Sequence, residues 1–99
     1  MLLPLDREAI VVLCRRHGVV RLSVFGSALT DRFDPKLSDI DLTVEFAADL
    51  PDRFDAYFGL KEDLEQLLDR PVDLLVRTAI NNPFFEAEVA RTEELLYAA

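Results

Sequence analysis

The chain has a single cysteine, Cys14, in 99 residues. That excludes an internal disulfide and a zinc site built from several cysteines. Cys14 falls in an apolar helical pattern and is expected to be a buried thiol. No apolar run approaches the length needed to span a membrane, so no membrane partner is expected. The start, Met1-Leu2-Leu3-Pro4-Leu5-Asp6, lacks the basic region and the full apolar stretch of a signal peptide, and the chain reads as cytoplasmic. Basic residues are scarce: 11 Lys and Arg stand against 19 Asp and Glu, for a formal net charge of −8. Nucleic-acid affinity comes mostly from Lys and Arg on phosphates, so no nucleic acid is expected as a partner. The densest positive point, Arg15-Arg16-His17, falls where a helix should end, and cations there suit the helix dipole. His17 is the one histidine, distant in sequence from the other chemistry-bearing residues. An acidic surface with many apolar residues suits a basic or apolar protein partner instead.

Hydrophobic residues make up 51% of the chain, enough for a sizeable core. There is no repeat, low-complexity segment or linker, so residues 1–99 read as one domain. Apolar positions Leu5, Ala9, Val12 and Leu13 predict a helix from Pro4 to His17, stopped by Gly18. Arg21 to Phe25 reads as a strand, residues 27–38 as a loop and Asp39 to Phe46 as a second strand. Asp52 is a capping residue for a second helix running to about Asp69. Its apolar stripe is Phe54, Tyr57, Phe58, Leu60, Leu64, Leu67 and Leu68; Gly59 weakens it and Pro71 ends it. Val72 to Val76 predicts a third strand. Thr78 to Arg91 predicts two short helical turns broken near Asn81-Asn82-Pro83, and Glu94 to Tyr97 a short edge strand. The order implies an α/β (α+β) fold, a small mixed sheet with helices packed against it. Tyr57 and Tyr97 read as packing residues. Leu2, Leu3, Phe84, Phe85, Leu95, Leu96 and Tyr97 either close the core or form an exposed interface.

The chemistry-bearing stretch is 26–41. Residues two apart on a strand share a face, so Asp39 and Asp41 project together while Ile40 points into the core. Two carboxylates side by side repel, and a hard divalent cation with oxygen ligands and substrate phosphates relieves the repulsion. Asp73 lies in Pro71-Val72-Asp73-Leu74-Leu75-Val76, which reads as a buried strand; a carboxylate buried there needs a partner. The choices are a metal shared with Asp39 and Asp41, or a salt bridge to Arg21 or Arg77. Gly26 at a strand end lets backbone approach a ligand, and its N–H groups with the Ser27 hydroxyl suit phosphate oxygens.

Val24-Phe25-Gly26-Ser27, Ser38-Asp39-Ile40-Asp41-Leu42 and Val72-Asp73-Leu74 together resemble the nucleotidyltransferase superfamily that includes polymerase β. More narrowly, the chain is similar to the minimal nucleotidyltransferase (MNT) proteins, whose usual ending resembles Ala79 to Phe85 and Glu94 to Tyr97. The resemblance implies that Asp39, Asp41 and Asp73 hold two Mg²⁺ ions and carry catalysis, with Asp73 nearest the acceptor. It implies that Gly26, Ser27 and Ser38 bind the nucleotide, with ATP as the nucleoside triphosphate substrate. Many members place Arg directly after Gly-Ser; this chain has Ala28, leaving Arg32, Lys36 or Arg77 to supply a positive contact. Small stand-alone members resemble antitoxins of toxin–antitoxin pairs, of the type VII kind. The implied partner is a HEPN-domain toxin, and the implied reaction is transfer of AMP to one of its tyrosines. The alternatives are a weak or inert antitoxin that neutralises by binding alone, and transfer to a small molecule such as an aminoglycoside hydroxyl.

Overall fold

The computed structural model describes residues 6–25 and 40–99. Asp6 opens the first helix, α1 (Arg7–Arg16), its side chain accepting from the Ala9 N–H at 3.1 Å. The described helix therefore begins behind an aspartate cap, and the expected start at Pro4 lies outside the described residues. His17 ends it by donating its N–H to the Leu13 carbonyl. Gly18 follows at φ +70°, and an added Cβ there would press on the tip of the Leu50 side chain. The expected stop is there because the backbone is left-handed, which favours glycine. Val19 and Val20 extend the first strand, β1 (Val19–Phe25), two residues earlier than expected.

The second strand is β2 (Ile40–Phe46), and Asp52 caps α2 (Arg53–Leu68) by accepting from the Asp55 N–H at 3.0 Å. Asp69 closes α2 in the left-handed region at φ +54°. Then come β3 (Val72–Val76) and a single 3₁₀ turn, Arg77–Ala79. The expected pair of broken turns is instead that turn followed by a ten-residue helix, α3 (Pro83–Thr92). Asn82 caps α3, its side-chain oxygen accepting from the Phe84 and Phe85 N–H groups, and Pro83 takes the first helical position. Asn-Pro there is a start signal, since Pro's missing N–H would be unsatisfied anyway. The last strand is β4 (Glu94–Ala98).

The strands form one sheet in the order β3-β2-β1-β4. β1 runs antiparallel to both β2 and β4, while β2 and β3 are parallel. A parallel pair needs a long crossover, which α2 supplies. One face of the sheet packs with α1 and α2 around Ile10, Cys14, Leu22, Val24, Ile40, Leu42, Val44, Leu60, Leu64, Val72 and Leu74. Burial pushes the Cys14 thiol up to about 12, so it is protonated and inert at neutral pH. The Tyr57 hydroxyl donates to the Leu74 carbonyl at 2.6 Å, joining α2 to β3 as a packing residue.

The predicted stripe of α2 needs correction. Ala56, Leu60 and Leu64 are its buried line, while Phe54 is 74% and Phe58 50% exposed. Gly59 is not a mere weak point. The His17 ring lies against it, and an added Cβ would meet the ring at 2.8 Å. That ring also bonds Asp63 at 2.7 Å, which holds the Asp63 carboxyl below the usual range. Among the described residues, no helix is long and apolar enough to cross a membrane.

Glu65 fastens α2 to the start of β3. Its carboxylate accepts from the Val72 N–H at 2.9 Å and from Lys61 at 3.3 Å. The Val72 contact, then Lys61, hold its carboxyl below the ordinary value of 4.5. A carboxyl depressed in the folded state adds stability above its unfolded value and loses it as pH falls through the folded value. Melting temperature should therefore drop more steeply for the native chain than for Glu65→Gln as pH is lowered from about 5 to about 3. Parallel melting profiles for the two would contradict this link.

Candidate functional site

The site residues sit where β1 ends and where β2 and β3 begin. Phe25, Asp41 and Asp73 are register partners across three neighbouring strands, with Phe25 beside Asp41 and Asp41 beside Asp73. Paired residues of a sheet project to the same side, and neighbouring strands lie about 4.8 Å apart. Ile40, Leu42, Val72 and Leu74 are buried on the α1–α2 face, so Asp41 and Asp73 project from the opposite face. The Ile40 N–H donates to the Pro71 carbonyl at 3.2 Å, which fixes the register just where the two carboxylates emerge.

Asp73 is exposed, contrary to the reading of its strand as buried. β3 is an edge strand covered on one face, so Val72 and Leu74 turn in while Asp73 turns out. The argument that a buried charge demands a partner does not apply to it. The salt-bridge alternative fails as well. Arg77 pairs with Glu93, and Arg21 lies 3.8 Å from the same carboxylate. Both cations are engaged at the opposite end of the sheet, about 13 Å along the strand from Asp73. Arg77 is therefore a poor substitute for the basic residue that Ala28 replaces. Gly26, Ser27, Ala28, Arg32, Lys36, Ser38 and Asp39 lie outside the described residues.

α3 borders this site. Phe85 meets the Phe25 ring edge to face, centroids 6.0 Å apart, while Glu93 at the helix's other end reaches Arg21. Eight residues of helix rise about 12 Å and four of strand about 13 Å, so α3 runs antiparallel along β1. Its first turn thus overhangs the carboxylate end of the sheet. Sequence reading missed this neighbourhood: Phe84 and Phe85 were legible as apolar residues near a terminus and as part of the ending that resembles the family, with no place in the site. The Asn82-Pro83 start signal was the clue that a full helix begins there.

Chemically, Asp41 and Asp73 bring hard oxygen donors to adjacent positions on the sheet face opposite α1 and α2, the ligand type of Mg²⁺ or Mn²⁺ and not of soft metals. Among the described residues no group of three metal-ligating side chains occurs, and the third expected carboxylate, Asp39, lies outside them. Like charges at facing positions cost a few tenths of a kcal/mol to about 1 kcal/mol. Asp73→Asn should therefore raise the melting temperature slightly in EDTA. Unchanged or lower melting would mean that the two carboxylates are not closely apposed.

Comparison with known proteins bears on the family and the fold. Residues 7–95 match the nucleotidyltransferase domain family. A protein of Methanocaldococcus jannaschii, whose name provisionally describes a protein adenylyltransferase, is 35% identical over 86 residues, 87% of this chain and 83% of the relative. A solved structure provisionally described as a minimal nucleotidyltransferase superposes with a TM-score of 0.73 at 35% identity, covering 89% of this chain and 86% of that one. A second is described as a tri-AMPylated Shewanella oneidensis HEPN toxin in complex with an MNT antitoxin. It superposes with a TM-score of 0.63 at 26% identity, covering 94% of this chain and 70% of the matched chain. The four-stranded mixed sheet, the aligned carboxylates and a family match over nearly the whole length lead to one assignment: this chain belongs to the nucleotidyltransferase domain family.

Proposed function

We propose that this chain is an antitoxin that transfers AMP from ATP to a tyrosine of a HEPN-domain toxin and thereby silences it. The observation that carries the reading is the register pairing of Asp41 with Asp73 at adjacent strand starts of the sheet. The name of the M. jannaschii relative and the AMPylated HEPN toxin bound to an MNT antitoxin support the same reaction and partner.

In this reading Asp39, Asp41 and Asp73 would hold two Mg²⁺ ions, which would supply charge stabilisation to the triphosphate and the departing pyrophosphate. Gly26, Ser27 and Ser38 hold the phosphate tail. The acceptor oxygen attacks the α-phosphorus, the bond to pyrophosphate breaks, and the acceptor proton passes to Asp73. Asp73 suits that task because it is exposed on the outer strand, where an approaching protein side chain can reach it. Positioning and charge stabilisation supply most of the rate, as is usual for phosphoryl transfer. Residues 1–99 act as one domain in this reading.

A second reading, neutralisation by binding alone, is favoured by one observation. Ala28 replaces the usual basic residue, and Arg77 is engaged by Glu93. The exposed Phe54–Phe58 pair, centroids 4.6 Å apart, would then belong to the binding surface. Labelled ATP separates the two readings. With a HEPN partner and Mg²⁺, label on the α-phosphate should appear on a partner tyrosine and label on the γ-phosphate should not. A tight complex that suppresses the toxin without any α-label would establish the binder.

A further inference from the structure

We infer that the aromatic patch at the start of α2 is where the protein partner docks, through a segment that sets an apolar side chain among lysines or arginines. The inference rests on the partner reading above and holds whether that partner is modified or only bound. Phe54 is 74% and Phe58 50% exposed, and the two rings lie one helical turn apart with centroids at 4.6 Å. The Tyr57 ring meets Phe58 edge to face at 4.9 Å, and its hydroxyl is tied to the Leu74 carbonyl. The three rings hold one another in place, so little ordering remains to be done on binding. Beside them opens a cavity of about 510 Å³, walled by Phe46, Phe54, Tyr57 and Val76. Single apolar residues scattered over a surface are ordinary, but adjoining rings at the mouth of an apolar cavity have the form of a docking site.

Charge decides what covers the patch. Asp55 and Glu62 lie one turn before and one turn after Phe58, and Asp49 follows the Ala48 that lines the cavity. None of these three carboxylates enters an ion pair among the described residues. The nearby cations are engaged: Arg53 donates to the Ala48 carbonyl at 3.2 Å, and Lys61 lies 3.3 Å from Glu65. A second copy of this acidic chain, an anionic lipid surface or a nucleic acid would set like charge against like. A basic, apolar protein segment matches both the rings and the acids, and its cations gain further from lying over an exposed ring face. The position also suits a protein substrate. Phe46 and Val76 pack on the core side of the sheet, and Val76 lies three residues along β3, about 10 Å, beyond Asp73. A partner seated there leaves the opposite face, with Asp41 and Asp73, uncovered.

The test is binding of a purified HEPN-domain protein, at low and high salt, to four forms of the chain. These are the native chain, Phe54→Ser, Phe54→Ser with Phe58→Ser, and the charge variant Asp49→Asn, Asp55→Asn, Glu62→Gln. Binding of ATP with Mg²⁺ is measured beside it. Phe54 is mostly exposed, so its substitution alone should leave melting unchanged and keeps the test sound if the double variant melts early. Phe54→Ser should weaken partner binding about fivefold and the double variant roughly thirtyfold or more, as expected of aromatic anchors. The charge variant should associate several times more slowly and lose most of the salt dependence. ATP should bind all four alike. Partner binding indifferent to both phenylalanine variants overturns the docking surface, and so does native binding that salt leaves unchanged. Self-association of the native chain that Phe54→Ser abolishes assigns the rings to a second copy and equally overturns it. A native chain that binds no HEPN-domain protein overturns the partner reading and the docking surface together. Binding through the rings without AMP transfer overturns the transferase reading and leaves the docking surface standing.

Discussion

Replacing Asp39 and Asp41 together by asparagine should reduce nucleotide transfer roughly a thousandfold or more while leaving the fold intact. Asparagine keeps the shape of aspartate and removes its charge. Metal-assisted charge stabilisation contributes several kcal/mol to a transition state, and each 1.36 kcal/mol is tenfold in rate. The fold should survive because the Asp41 side chain does not fill the main core: it is half-buried on the face away from α1 and α2, and its neighbours Ile40 and Leu42 do the packing. Circular dichroism should match the native chain and melting should be no lower, while AMP incorporation into the partner should vanish. Transfer at the normal rate would remove the carboxylates from the chemistry. Lost transfer with a collapsed melting transition would show a structural effect instead, and Asp73→Asn, exposed on the outer strand, would then carry the test.

Leu42→Ala should destabilise the protein by about 3 kcal/mol, a large share of the roughly 5–15 kcal/mol that holds a small domain folded. Leu42 is 1% exposed, lies between Asp41 and Thr43, and pairs with Val24 on one side and Leu74 on the other. Shortening it leaves a cavity at the centre of the sheet, among side chains that are themselves packed on all sides. The urea midpoint should fall by about 2 M, given the usual slope for a chain of this size. Val12→Ala is the matched control: Val12 is exposed on α1, and alanine favours a helix, so the change should stay within about 0.5 kcal/mol. Equal losses from the two substitutions would mean that the core is not organised around β2.

The elements were legible in the sequence where a backbone signal coincided with the hydrophobic pattern. Gly18, Asp52 and Pro71 mark boundaries in the structure as they do in the sequence, and Val72–Val76 is the strand that its composition predicts. Faces were less legible. Val72-Asp73-Leu74 alternates in and out, but Leu75 breaks the alternation and makes the segment read as buried on both sides. On α2, seven apolar residues read as one stripe; the sheet takes the line Ala56, Leu60 and Leu64, and Phe54 and Phe58 are left at the surface.

The carboxylate spacing was readable, because Asp39-Ile40-Asp41 is a local pattern. The pairing of Asp41 with Asp73 was not, since it depends on a parallel register across a sixteen-residue helix. Nor did any local signal point to Glu93, which engages both Arg21 and Arg77 and thereby removes the alternative partners of Asp73. Such pairings are set by which strand ends the topology brings together, and short-range periodicity carries no record of that.

The most direct test of the central claim is the intact mass of a purified HEPN-domain partner after incubation with this protein, ATP and Mg²⁺. The account predicts a gain of one or more AMP units with the native chain and none with the Asp39→Asn, Asp41→Asn variant. An unchanged partner mass, with the partner's activity still suppressed in a stable complex, would contradict it and leave this chain a neutralising binder.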